Sequence, residues 1–131
     1  MTDIRWKQRF DNFTKALQHL ESALDVENPD IIQKAGIIQF FEMTFELSWK
    51  VLKDYQEAEG FGEVKSPREA IKKGFETGLV EDGHAWLQML ENRNITKYAY
   101  DEDTANELVV AIRDDYYDLL KGLYEHLKPE L

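Results

Sequence analysis

The chain has 131 residues, with 26 Asp and Glu against 16 Lys and Arg, a formal net charge of −10 and no cysteine. That length suits one domain over residues 1–131, and the charge argues against free-standing binding to nucleic acid or an anionic membrane, favouring a basic partner instead. Without cysteine there is no disulfide framework and no thiolate chemistry, which suits a cytoplasmic protein; the charged start from Met1 to Arg9 lacks a signal core, and no run reaches the ~18 apolar residues of a membrane span.

From Ile4 to about Val26, Trp6, Phe10, Phe13, Leu17, Leu20 and Leu24 alternate steps of four and three. This is the seam of a first helix that packs on a core. A short connection over Val26 to Asp30 favours an antiparallel neighbour. The neighbour runs from Asn28, read as N-cap with Pro29 at N1, to a stop at Gly60. Its apolar residues make two adjoining faces, Ile31, Ala35, Ile38, Phe41, Phe45, Leu52 and Tyr55 on one and Ile37, Phe40, Leu47 and Val51 on the other. A helix apolar over more than half its circumference needs partners on several sides, so it should be central to the packing. A polar strip of Gln39, Glu42, Glu46, Lys50 and Lys53 remains. If another segment covers that strip, its carboxylates need a cation, and Arg68 or Arg93 can supply one.

Gly60, Gly62 and Pro67 mark a loop. Ser66, Pro67, Arg68 and Glu69 then form a capping box opening a short helix to about Phe75, with Gly74 and Gly78 bracketing its end. Glu81 or Asp82 caps the next helix, which buries Trp86, Leu87, Met89 and Leu90 and runs into Asn92, Arg93 and Asn94. Asp101 or Asp103 caps the last, where Ala105, Leu108, Val109, Ile112, Tyr116, Leu119, Leu120, Leu123 and Leu127 keep helical spacing until Pro129. No stretch shows a period of two. The expected fold is therefore all-α, an antiparallel up-and-down bundle of four main helices plus one short helix.

Most enzyme classes find no residues here. Glu81 and His84 have the Glu-x-x-His spacing of carboxylate-bridged metal bundles, but the second copy such sites need is missing, so no metal site is expected. His19 and His126 read as surface histidines. No phosphate-binding glycine loop follows a strand, and no Ser/His/Asp or Cys/His arrangement can be placed. The segment Glu91 to Asp101 differs, because it gathers Arg93, Asn94, Thr96, Lys97, Tyr98 and Tyr100 where one helix ends and the next begins. Arginine offers a planar fork for phosphate or carboxylate, and tyrosines beside it can stack on a base or ribose. The structural alternative is a helix C-terminus whose cations complement the dipole, with Tyr98 and Tyr100 closing the end of the core.

The runs Gly36-Ile-Ile-Gln-Phe-Phe-Glu-Met-Thr-Phe-Glu-Leu-Ser-Trp-Lys50, Ser66-Pro-Arg68, Gly78-Leu-Val80 with Trp86, Arg93-Asn-Ile-Thr96 and Tyr100-Asp-Glu102 resemble the nucleotidyltransferase substrate-binding protein family of the HEPN superfamily. The resemblance covers most of the chain in order. It implies a dimeric helical bundle that works with a separate minimal nucleotidyltransferase subunit as a heterotetramer. Nucleoside triphosphate and Mg would then sit on that partner, with no cofactor held by this chain alone. Related pairs act as toxin and antitoxin, the HEPN protein being an RNA-cleaving toxin and the nucleotidyltransferase restraining it by adenylylating a tyrosine.

Arg93 and Asn94 match the start of the HEPN motif, which continues through four residues to a histidine and, two further on, a tyrosine. Tyr100 matches that tyrosine, whereas Tyr98 stands where the histidine belongs. Histidine titrates near neutrality and can exchange protons with a 2′-hydroxyl. Tyrosine, with an ordinary pKa of about 10, is a poor base at pH 7. The resemblance thus implies first a non-catalytic substrate-binding subunit that completes the active site of a nucleotidyltransferase. Its binding residues would be Arg93, Asn94, Tyr98, Tyr100 and Asp101, with Glu42, Glu46 and Lys50 from the polar strip. An HEPN-type RNase, degenerate at Tyr98, is the alternative, and a purely structural helical dimer is the third.

Overall fold

The computed structural model describes residues 2–131. Six α-helices follow in order, α1 (Thr2–Leu24), α2 (Ile31–Ala58), α3 (Pro67–Glu76), α4 (Gly83–Asn94), α5 (Glu102–Ala111) and α6 (Tyr117–Leu127), and no strand occurs among the described residues. A π-helical turn, Ile112–Tyr116, joins α5 to α6. The two therefore form one long final helix, and the bundle has four main helices, α1, α2, α4 and α5–α6, with α3 as the short one.

The central helix is α2. It packs along α1 most extensively and also against α3, α5 and α6, as its wide apolar surface requires. Ile37, Ile38, Phe41, Phe45, Val51 and Leu52 are all buried, and from α1 Trp6, Phe10, Phe13, Leu17 and Leu20 face them, leaving Leu24 partly buried. Two buried hydroxyls on α2 are satisfied within the helix, Thr44 donating to the Phe40 carbonyl and Ser48 to the Phe45 carbonyl, each at 2.6 Å. Asp54 is buried too and meets the Arg9 guanidinium of α1 at 3.3 Å, so a charge pair as well as apolar area joins these helices.

The start of α2 differs from the expectation. Asn28 is not the N-cap; it has a φ of +49° and turns the chain, and the cap is Asp30. Asp30 and Gln33 close a capping box, the Gln33 N–H donating to Asp30 at 2.8 Å and the Asp30 N–H donating to Gln33 at 2.9 Å. Two rules competed for one position, and the reciprocal side-chain bonds outweighed the proline-at-N1 preference. Ile31 and Ala35 are exposed, as is Ile32, because the first turn of α2 projects past the packed layer. The apolar face becomes core only from Ile37 onward.

The other caps fall at expected residues, Ser66 on α3, Asp82 on α4 and Asp101 on α5. The Ser66 box stays half closed, however: Glu69 donates its N–H to Ser66 while its carboxylate accepts from the Lys65 N–H at 2.8 Å, one residue before the cap. Gly60 ends α2 with a φ of +84°. Gly74 is required for a different reason, since a Cβ there would lie 2.7 Å from Cγ2 of Val80. The Leu79 and Val80 N–H groups both donate to the Gly74 carbonyl, so the chain folds back directly over this glycine and carries on into α4. No helix among the described residues is long and apolar enough to cross a membrane.

Candidate functional site

The site is built where the last turn of α4 meets the middle of α2. Arg93 lies in that last turn, and its guanidinium Nη1 forms an ion pair with Glu46 Oε1. Its Cζ sits 5.6 Å from the Phe45 ring centroid, so the cation rests on an aromatic face while its edge meets a carboxylate. The other Glu46 oxygen accepts from the Trp49 indole N–H at 3.1 Å. Arg93 Nε donates to Asn94 Oδ1, also at 3.1 Å. Of the two cations expected as candidates for the polar strip, Arg93 reaches it, while Arg68 is exposed on α3.

Beyond Arg93 the chain makes a 3₁₀ turn, Thr96–Tyr98, before α5. Thr96 is buried and its hydroxyl donates to the Arg93 carbonyl at 2.8 Å, capping the orphan end of α4. Tyr98 is 47 % exposed and Tyr100 82 %. The expectation that they close the core therefore fails. The apolar residues of the flanking helices, Ala105, Leu108 and Val109 of α5 and Trp86, Met89 and Leu90 of α4, are buried, while both phenols face solvent. Lys97 places its ammonium 5.3 Å from the Tyr98 ring centroid. Asp101 is engaged as the α5 cap, accepting from the Thr104 N–H and hydroxyl at 3.1 and 2.9 Å.

Alongside Glu46, an open groove of about 530 Å³ runs between α1 and α2, with Ala16, His19, Phe40, Glu42, Met43 and Leu47 among its walls. His19 stacks on Phe40 at 5.5 Å. Glu42 and Glu46 thus share a groove, and Lys50 continues the same strip as a half-buried residue. Glu81, by contrast, does not join His84; it meets His126 Nε2 at 2.8 Å, tying the start of α4 to α6. Sequence spacing alone missed Phe45, Trp49 and His19. The i, i+3 relation of Glu46 to Trp49 was a usable signal; His19 had none, because its neighbours come from another helix.

The fold is an all-α helical bundle with a polar surface centred on the Arg93–Glu46 pair. Residues 8–129 match the family described as nucleotidyltransferase substrate binding protein like, and the chain belongs to that family. A Haemophilus influenzae relative, the probable ribonuclease HepT, is 31 % identical over 107 residues, spanning 76 % of this chain and 73 % of the relative. A crystal structure from Thermus thermophilus superposes with a TM-score of 0.82 at 30 % identity, covering 88 % of this chain and 98 % of that one. The tri-AMPylated Shewanella oneidensis HEPN toxin in complex with MNT antitoxin shares the fold, with a TM-score of 0.76 at 12 % identity and coverage of 95 % and 96 %.

Proposed function

We propose that this chain is a non-catalytic binding subunit of a separate minimal nucleotidyltransferase, docking through the surface that carries Arg93, Asn94, Tyr98, Tyr100 and Asp101, with Glu42, Glu46 and Lys50 beside it. The observation that carries this reading is the contrast between two neighbours. Arg93 is held in place by Glu46 and Phe45, while Tyr100 a few residues on is 82 % exposed. A fixed cation next to an exposed phenol is suited to docking a nucleotide-handling enzyme, and the hydroxyl is an acceptor for an adenylyl group. Nucleoside triphosphate and Mg belong to the partner in this scheme. The working assembly is a cytoplasmic heterotetramer around a homodimer of this chain, and the apolar residues left exposed on α2, Ile31, Ile32 and Met43, suit such burial.

A second reading, an RNA-cleaving toxin, is favoured by the name of the Haemophilus influenzae relative. Two features of this chain weigh against it. Tyr98 stands where general acid-base catalysis would need a group titrating near neutrality, and a phosphate reaching Arg93 must compete with the Glu46 carboxylate already there. Purified chain mixed with an antitoxin-type nucleotidyltransferase should co-elute with it, and where that partner adenylylates the chain from ATP and Mg, releasing pyrophosphate, the added mass should fall on Tyr100. RNA cleavage by the native chain alone would favour the second reading.

A further inference from the structure

We infer that Asn92 and Tyr116 are positioning residues for the Arg93–Tyr100 segment, and that the π turn over Ile112–Tyr116 is the device that brings them together. The inference rests on the binding role proposed above for that segment. Within the turn the Tyr117 N–H donates to the Ile112 carbonyl five residues back. Such a turn accommodates close to one extra residue, and so rotates α6 relative to α5. Isolated π turns are uncommon inside helices and recur at functional sites.

What this one achieves is visible in its last residue. The Tyr116 ring is buried and stacks on Phe41 at 5.7 Å with an interplanar angle of 20°, and its hydroxyl accepts a hydrogen bond from the Asn92 amide. Burial pushes the Tyr116 phenol above its ordinary pKa, and the Asn92 donor opposes that shift.

Phe41 lies one helical turn before Phe45 on α2. Two rings one turn apart on one helix therefore hold two consecutive residues of α4: Phe41 carries Tyr116 and through it Asn92, and Phe45 carries Arg93. The Asn92–Tyr116 bond fixes where the end of α4 lies along α2. That sets Arg93 over Phe45 within reach of Glu46, and it sets where the Thr96–Tyr98 turn begins. A straight final helix would aim Tyr116 elsewhere and leave the half-buried Asn92 amide without this partner, a costly state for a polar group out of water.

The test is amide hydrogen exchange on the full chain, comparing native protein with Tyr116→Phe, Asn92→Ala and the double variant. Exchange over residues 95–101 should rise several-fold in each single variant and no further in the double, because both remove one bond. Buried α1 and α2 amides should change far less. Tyr117→Phe is the control, since it removes a hydroxyl on the same helix that faces Glu21 instead; it should leave residues 95–101 unaltered. Unchanged exchange there in Tyr116→Phe, or an equal rise in Tyr117→Phe, would overturn the inference. Exchange needs no partner, so failure of the native chain to bind a nucleotidyltransferase would count against the proposed function alone. If binding occurs, Tyr116→Phe should weaken it about tenfold.

Discussion

Glu46 and Arg93, 47 residues apart in sequence, form one ion pair that joins the middle of α2 to the end of α4. The carboxylate is held from behind by the Trp49 indole and the guanidinium rests on Phe45, so neither partner is free to swing as a surface pair would. Their side chains are still about a third exposed, 35 % for Glu46 and 27 % for Arg93, which limits the pair to roughly 0.5–1 kcal/mol of stability after solvent screening. Arg93→Ala should therefore melt cooperatively within a few degrees of native while losing most of its partner affinity. Loss of a cooperative transition by calorimetry would show that Arg93 is a structural residue instead.

Tyr98 is the position that separates binding from cleavage. Exposed and beside Lys97, it can be replaced without opening a cavity. Tyr98→His supplies a group titrating near neutrality, and a positioned acid-base group is worth roughly 10²–10⁴-fold in rate. Native protein should show little or no RNA cleavage. Tyr98→His should show more, and adding Arg93→Ala should abolish the gain. Strong native cleavage that survives Tyr98→Phe would place the chemistry elsewhere.

Gly74 gives a prediction about the scaffold. Its missing side chain makes room for Val80, whose Cγ2 would be 2.7 Å from a new Cβ, and Leu52 packs close behind. Gly74→Ala should destabilise by about 1–3 kcal/mol through overpacking, despite the better helix propensity of alanine. Pairing it with Val80→Ala should recover part of that loss in urea unfolding. Equal midpoints for Gly74→Ala and native protein would mean that the loop shifts freely.

Two phenols tie the final helix to its neighbours. Tyr55 donates to Glu130 at 2.9 Å, and its pKa is pushed up to about 12, by burial first and then by that carboxylate. Tyr117 is likewise raised to about 12, by burial first and then by the Glu21 carboxylate near it. An acid whose pKa is higher folded than unfolded holds its proton more tightly in the fold. Its contribution is fully present below pH 10 and is lost as pH rises from about 10 to 12. Stability should fall across that window, and Tyr55→Phe with Tyr117→Phe should flatten the fall; an alkaline limb unchanged in the double variant would assign it to other groups.

The bundle was legible because it rests on strong local signals. The seam of α1, the broad face of α2 and the caps at Ser66, Asp82 and Asp101 each follow from spacing or from a single side-chain bond. Asn28 misled because a cap signal and a left-handed turn use the same residue type. The π turn left no trace, since Ile112, Tyr116, Leu120 and Leu123 also fit a plain helix. The polar strip named two cations for its carboxylates, and only tertiary packing could choose Arg93 over Arg68. His19 and Tyr116 became part of the neighbourhood through contacts with Phe40 and Phe41, pairings that no local pattern encodes.

On the proposed reading the Arg93–Asp101 surface serves a nucleotidyltransferase partner. Intact-mass spectrometry after incubation with an antitoxin-type nucleotidyltransferase, ATP and Mg tests it most directly. Native chain should form a complex and carry added adenylyl mass, Tyr100→Phe should bind without gaining that mass, and Arg93→Ala should neither bind nor be modified. Equal complex formation and equal modification by all three proteins would contradict the account.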